Sequence, residues 1–304
     1  MFAFSTSWNA WRHSSAAGLV NEVRDLGFSR LELGFSLPLH LYEEMKQEVA
    51  AGRISIASLH DYCPSLNTQS LSPGRRRDCL LSSRDERERA AAVSAAVRTL
   101  QAAREVNAPA VIIHSGQVPL LFSSRKIFSR MELRGDISDP SPRRKLGRIV
   151  ARREKRKSRY LAQTIKSLKE IEVQAAACGV KLGIENRYFP EEIPSLEEIG
   201  VILAEINSPW VGYWHDVGHA QVKENLGLEN HEEYLRGYSG RMIGMHIHDV
   251  RGLSDHRAPL TGDFDFRRLK KYLRDDLIKV IEVHPLATAE EIKRALVFLE
   301  SNFS

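Results

Sequence analysis

Short apolar segments alternate with amphipathic helical segments eight times along this 304-residue chain. The apolar segments have the length and the Val, Ile and Leu content of buried strands, and the segments between them show helical spacing. Regular strand–helix alternation predicts a parallel sheet, because each strand returns to the same edge through a helix. Eight such units in about 300 residues predict an α/β fold: one closed (β/α)8 barrel spanning residues 1–304.

The periodicity also gives the element boundaries. Strands are predicted at residues 2–6, 29–33, 54–59, 108–113, 180–184, 210–216, 242–249 and 277–281. Helices are predicted at 16–26, 41–51, 87–106, 142–178 (one long helix or two), 195–206, within 219–238, at 266–273 and at 288–299. Two segments break the alternation and are predicted as insertions, at about 63–85 and, after the fourth strand, at about 117–145. Both lack clear periodicity, and we expect 117–141 to be irregular.

An open, doubly wound sheet is the alternative α/β architecture. It would place a glycine-rich, phosphate-binding loop directly after the first strand. The residues at that point, Ser5–Trp8, read Ser-Thr-Ser-Trp. The sequence therefore favours the closed barrel.

Positive charge is concentrated in one stretch. Residues 121–160 contain 14 Lys and Arg against 4 Asp and Glu, whereas the whole chain has a net charge of only +5. Such a block could contact nucleic acid, a phosphorylated ligand or an acidic partner. We favour the simpler alternative, a solvated surface with arginines pointing outward.

The chain shows no feature of export or membrane insertion. No apolar run approaches the roughly 20 residues of a membrane span, and the N-terminus lacks the pattern of a secretory signal. The cysteines, Cys63, Cys79 and Cys178, are odd in number and widely spaced, which fits neither a disulfide framework nor a Cys-x-x-Cys zinc site. We expect a cytoplasmic protein without a membrane partner.

Metal-binding residue types recur where the predicted strands end. In a parallel barrel these ends converge on one mouth. A mixture of carboxylates and imidazoles suits Zn²⁺, Mn²⁺, Co²⁺ or Fe²⁺, whereas Mg²⁺ prefers oxygen ligands. Any one histidine alone would be explained as a hydrogen-bonded interior or rim residue, but the set together predicts a divalent metal site. Its members are His60, His114, Glu185, Asp216, His219, His246, His248 and Glu282.

These strand ends resemble those of the xylose-isomerase-like TIM-barrel superfamily, which includes sugar isomerases, sugar epimerases and endonuclease IV enzymes. The resemblance covers nearly the whole chain and is specific for the superfamily rather than for one activity. It rests on the segments 58–61 (SLHD), 112–115 (IIHS), 184–186 (IEN), 215–219 (HDVGH), 245–249 (MHIHD), 254–256 (SDH), 262–266 (GDFDF) and 281–283 (IEV).

The resemblance to the ketose epimerases implies roles for these residues. One divalent ion (Zn, Mn or Co) would be held by Glu185, Asp216, His246 and Glu282. The two glutamates would also be the catalytic groups that transfer protons. Substrate-binding roles would fall to His219, Arg251, His60 and Asn186.

The endonuclease branch implies a larger set of ligands for three zinc ions. Besides the four residues above, it would use His60, His114, His219 and His256 as additional metal ligands. Its remaining ligand is an aspartate two residues before the last histidine, where this chain has Ser254, with Asp255 one position later. Either Asp255 shifts into the place of that ligand or the third ion is lost. This departure argues against a phosphodiesterase, because loss of a ligand weakens the clamp on the attacking and leaving oxygens.

The favoured hypothesis is therefore a metal-dependent isomerase or epimerase acting on a sugar or sugar phosphate through an enediolate. The first alternative is a zinc-dependent endonuclease for abasic DNA. The second is a non-catalytic protein that binds its partner through the basic segment. The expected partner is a small polyhydroxy substrate; nucleic acid is not favoured, and a homo-oligomer is compatible with the sequence.

Overall fold

The computed structural model describes residues 1–65, 80–135, 137 and 139–303. Eight parallel strands close into a barrel in the order β1-β2-β3-β4-β5-β6-β7-β10, which confirms the predicted (β/α)8 architecture. The remaining two strands, β8 and β9, form a separate antiparallel hairpin. The strands of this part of the chain are β1 (Phe2–Ser5), β2 (Arg30–Leu33), β3 (Ser55–His60), β4 (Ala110–Ile113), β5 (Lys181–Glu185), β6 (Val211–Asp216), β7 (Met242–Ile247), β8 (Asp249–Arg251), β9 (Ser254–Arg257) and β10 (Ile278–Ile281).

Helices follow most of the barrel strands, close to the predicted positions. The segment predicted as one or two helices is two, separated at Lys155 and Arg156. Ser195 caps a helix through a capping box with Glu198, as its sequence indicates. The helices are α1 (Ala16–Asp25), α2 (Leu39–Ala50), α3 (Glu86–Glu105), α4 (Arg125–Arg134), α5 (Pro140–Glu154), α6 (Lys157–Cys178), α7 (Leu196–Ile206), α8 (Val217–Asn225), α9 (His231–Tyr238) and α10 (Ala289–Phe303).

Three local predictions differ from the structure. The stretch 117–141 is not irregular throughout, since it contains α4, whose Phe128 and Met131 are buried at helical spacing. The helix predicted at 266–273 is reduced to a 3₁₀ turn, Phe266–Leu269. The sequence does not predict the β8–β9 hairpin, because its strands are only three and four residues long. Of the predicted insertion at 63–85, residues 66–79, including Cys79, lie outside the described residues.

The interior of the barrel is filled by one large side chain surrounded by small ones. Trp214 is fully buried and packs with Ala3, Ala110 and Val280. Glycines on the neighbouring strands make room for it: a Cβ added at Gly244 would lie 2.1 Å from the indole ring, and one at Gly183 would lie 2.9 Å from it. Neither distance is sterically tolerable, so the indole requires glycine at both positions.

The basic segment forms the two helices α4 and α5, which are fastened to the barrel. Phe128 and Met131 of α4 and Leu146 of α5 pack in one cluster with residues of α8 and of the β8–β9 hairpin. The buried guanidinium of Arg153 on α5 pairs with the equally buried carboxylate of Glu198 on α7. The outward faces of α4 and α5 are exposed and carry most of the positive charge of the basic segment. None of the described helices is both long and apolar enough to cross a bilayer.

Candidate metal centre in the barrel mouth

The candidate ligands form the next layer above the tryptophan that fills the barrel. Side chains of a strand alternate between its two faces, so a residue two positions further on points to the same interior. On β6, Asp216 follows Trp214 by two residues. On β5, Glu185 follows Gly183 by two residues, and on β7, His246 follows Gly244 by two residues. Both glycines face the indole ring. Glu282 occupies the equivalent place after β10.

The imidazole of His246 is the point where these side chains meet. Its Nδ1 atom lies 3.0 Å from Oε1 of Glu185, 3.2 Å from Oε2 of Glu282 and 3.6 Å from Oδ2 of Asp216. The opposite nitrogen, Nε2, lies 3.0 Å from Oε2 of Glu32 on β2. All five residues are buried. Glutamates almost a hundred residues apart in the sequence therefore reach the same nitrogen atom.

These residues fit a divalent cation. Oδ2 of Asp216 is buried and accepts no hydrogen bond from the described residues, which is costly for a carboxylate oxygen unless a ligand occupies it. Glu185, Asp216 and His246 each offer a ligand atom within 4.8 Å of the others, and so do Glu32, His246 and Glu282. A bound cation would offset the mutual repulsion of the buried carboxylates.

The pKa shifts of His246, Glu185 and Glu282 show that the buried carboxylates stabilise positive charge in the site. Burial acts to lower the pKa of His246, but the carboxylates of Glu32 and Glu282 raise it well above its ordinary value. Burial acts to raise the pKa of Glu185, yet Arg187, followed by its histidine neighbours, holds it well below the ordinary range. The pKa of Glu282 is also lowered, chiefly by His246 and His256 against the effect of burial. The glutamates are thus carboxylates at neutral pH, as metal ligands and general bases must be.

A second group of ligand atoms adjoins the first on the side of β3 and β4. His60, His114 and Glu185 could hold an ion together, and Nε2 of His114 lies 3.0 Å from Oε2 of Glu185. Burial, together with Arg187, lowers the pKa of His114 to about 4, which favours the neutral imidazole that a metal requires.

A third group lies on the side of α8 and the β8–β9 hairpin. It consists of Asp216, His219 and His256. Asp255 also faces this group, with Oδ2 3.1 Å from Nδ1 of His256 and 3.7 Å from Nε2 of His219. A carboxylate is therefore present in this group although Ser254 occupies the position of the family's aspartate, which corresponds to the first of the two alternatives left open by the sequence.

The sequence model of one family, the xylose isomerase-like TIM barrel, matches residues 20–301. The chain belongs to this family. No curated protein sequence matches it.

Several solved structures share this fold over the whole chain. A D-tagatose 3-epimerase-like protein is 18% identical, with a TM-score of 0.69 and coverage of 99% of this chain and 96% of that one. An L-ribulose 3-epimerase is 15% identical, with a TM-score of 0.70 and coverage of 99% and 94%. The IolI protein with a bound zinc atom is 16% identical, with a TM-score of 0.67 and coverage of 100% and 99%. At these identities the likeness establishes the fold.

Asn186 and Arg251, which the sequence predicted to bind substrate, make contacts with other parts of the protein. The side-chain amide of Asn186 donates to the backbone oxygen of Asp216 at 2.9 Å and accepts from its backbone N–H at 2.7 Å. It also accepts from the hydroxyl of Tyr213, so it clamps the end of β6 instead of facing a ligand. Arg251 lies on the hairpin with its side chain 61% exposed and paired with Asp263. We therefore leave both out of the proposed substrate site.

His219 and His60 do lie in the mouth. His219 places Nδ1 2.9 Å from the backbone oxygen of Asn186, which directs Nε2 toward Asp255. His60 lies edge-on to the ring of His114, with ring centroids 4.4 Å apart, and parallel to the ring of His246.

Glu32 and Arg187 are site residues that the sequence prediction did not include, whereas Asp255 was considered only as a replacement for the missing aspartate ligand. Arg187 is buried and contacts the carboxylate of Glu185 directly. The signal for Glu32 in the sequence is a carboxylate between two leucines of a predicted strand, which is unfavourable without a partner if the strand is buried. Arg187 follows β5 by two residues, just beyond the strand end at which Glu185 was identified as a ligand.

Proposed function

We propose that this protein is a divalent-metal-dependent isomerase or epimerase of sugars or sugar phosphates. The observation that carries the proposal is the convergence of Glu185, Glu282 and Asp216 on the Nδ1 atom of His246. These four residues would hold the ion. An ionised glutamate beside a cation suits the removal of a proton from a carbon next to a carbonyl.

The bound ion would supply a Lewis acid that polarises the ketose carbonyl and stabilises the enediolate. Glu282 would accept the proton from the carbon next to the carbonyl, since its carboxylate is ionised and less deeply buried than that of Glu185. In an isomerisation, Glu282 would pass the same proton to the neighbouring carbon. In an epimerisation, Glu185 would first take up a proton from water and deliver it to the opposite face, and Glu282 would release the abstracted proton to water. His219 and His60, at opposite sides of the cluster, would hold substrate hydroxyl groups.

Two further observations support this proposal. The similar structures include a D-tagatose 3-epimerase-like protein and an L-ribulose 3-epimerase, and a third, IolI, carries zinc. The side chains of His114 and His256 are 25% exposed, so a small ligand can reach the edges of the cluster.

Deuterium exchange on a panel of sugars tests the proposal and finds the substrate in the same experiment. The protein is freed of metal, reloaded with Mn²⁺, Zn²⁺ or Co²⁺, and incubated in D2O with a panel of ketopentoses, ketohexoses and their phosphates. We expect deuterium at the carbon beside the carbonyl of at least one sugar, only in metal-loaded samples. A fully loaded protein that exchanges no proton on any member of the panel would refute the proposal.

Phosphodiester hydrolysis is the second candidate, and the position of Asp255 favours it. With Asp255, His219 and His256 together, three neighbouring groups of ligand atoms could hold three ions rather than one. Metal stoichiometry separates the two candidates. One ion per chain, with sugar exchange, supports isomerisation, whereas three ions with cleavage of an abasic-site oligonucleotide support the alternative.

A further inference from the structure

We infer that Glu32 is a positioning residue that sets the orientation and tautomer of His246 for metal binding. The inference rests on the proposed metal site but not on the sugar chemistry assigned to it. Glu32 would not touch the ion. It would act through Nε2 of His246, on the side of the ring opposite to the ion.

The surroundings of Glu32 show a carboxylate placed for one contact. It lies on β2 with 0% of its surface exposed, between the apolar neighbours Leu31 and Leu33. Burying a carboxylate without partners costs several kcal/mol in proteins. Glu32 has two side-chain partners: the hydroxyl of Ser58, which donates to Oε2 at 2.8 Å, and the imidazole of His246.

The contact with His246 has the geometry of a direct hydrogen bond. Nε2 of His246 lies 3.0 Å from Oε2 and 3.2 Å from Oε1 of Glu32. Nε2 and Nδ1 point away from opposite sides of the ring, so an ion bound to Nδ1 by Glu185, Asp216 and Glu282 would lie beyond the reach of Glu32. Glu32 is therefore an acceptor for the Nε2–H group.

This hydrogen bond determines what the other nitrogen can do. With the proton held on Nε2, the lone pair of Nδ1 points toward Glu185, Asp216 and Glu282. Stacking with His60, at an interplanar angle of 5°, and the edge of Trp214 hold the ring in the same orientation. Carboxylate–histidine–metal arrangements of this kind raise the basicity of the ligand nitrogen, and loss of the carboxylate typically weakens metal binding by about 10- to 100-fold.

The test compares metal affinity in Glu32→Gln with that in two other variants. Ser58→Ala removes the second partner of Glu32 and should weaken binding less. Glu191→Gln is the matched control, because Glu191 is also a buried carboxylate that accepts hydroxyl hydrogen bonds, from Ser123 and Ser124, but lies outside the ligand groups. Zn²⁺ affinity is measured by competition with a chromophoric chelator, and thermal unfolding of the metal-free proteins shows whether each variant folds.

We expect about 10- to 100-fold weaker Zn²⁺ binding in Glu32→Gln and unchanged binding in Glu191→Gln. In ¹⁵N-histidine spectra of the Zn²⁺-loaded wild type, one Nε2–H proton should be strongly deshielded, and it should shift in Glu32→Gln. Equal affinities in the folded Glu32→Gln and wild-type proteins would overturn the inference and leave the proposed function intact. Failure of the wild type to bind Zn²⁺, Mn²⁺ or Co²⁺ would instead overturn the proposed metal site.

Discussion

The ion pair between Arg153 and Glu198 gives a quantitative test of whether the basic helices are an integral part of the fold. Both side chains are 2% exposed. The guanidinium donates to both carboxylate oxygens, at 2.8 and 2.5 Å, and to the backbone oxygen of Glu192 at 2.9 Å. The pair therefore joins α5 both to α7 and to the loop that follows β5.

Removing one member of this pair leaves the other charge buried and unpaired, which typically costs about 3–5 kcal/mol. We expect Arg153→Met to lower the free energy of unfolding by about 3 kcal/mol, since Glu198 still accepts from the backbone N–H of Ser195. Glu198→Gln should cost at least as much. The double variant should cost less than the two together, with a coupling free energy of about 2–3 kcal/mol.

Urea unfolding followed by tryptophan fluorescence measures these values. Arg152→Met is the matched control, because Arg152 is the exposed neighbour on the same helix and should change stability by less than about 0.5 kcal/mol. Strictly additive effects of the two buried substitutions would refute the reasoning. So would equal costs for Arg152→Met and Arg153→Met.

Three further outcomes follow from the site and the core. Glu282→Gln should fold normally and, in the deuterium-exchange assay, lose about 100-fold or more of its rate; full activity would remove the proposed mechanism. Burial, with Arg268, lowers the pKa of His231 to about 3, so its native form binds fewer protons than the unfolded chain below about pH 6.5. The free energy of unfolding should therefore decrease as the pH falls, and His231 should account for about 2 kcal/mol of this decrease between pH 7 and pH 5. Urea titrations of His231→Phe should lack that part of the slope; an unchanged slope would contradict the assignment. Gly244→Ala should lower the free energy of unfolding by about 1–3 kcal/mol or more, because its Cβ would clash with Trp214, and an unchanged melting temperature would contradict the packing.

The barrel and the core of the candidate site could be predicted because both depend on local sequence. Residues at strand ends, such as Asp216, can be identified in the sequence because an apolar run stops there. The barrel topology then brings all of these strand ends to one mouth. Side chains alternate between the two faces of a strand, so the two-residue interval between Trp214 and Asp216 also places both side chains inside the barrel.

The remaining features depend on contacts that no local pattern records. Asn186 has the residue type of a substrate ligand, but the backbone of Asp216 takes up its side-chain amide. Arg251 has a plausible spacing, yet the turn of a hairpin directs it to solvent. Asp255 reaches the mouth through the same hairpin, whose short strands carry no periodicity. The imidazole partner of Glu32, His246, lies more than two hundred residues away along the chain.

The central claim is that Glu185 and Glu282 hold one cation, and anomalous diffraction from a metal-loaded crystal tests it most directly. We expect an anomalous peak about 2.0–2.3 Å from carboxylate oxygens of both glutamates, from Oδ2 of Asp216 and from Nδ1 of His246. A fully loaded crystal with no peak among these four residues, or with the two glutamates bound to separate ions, would contradict it.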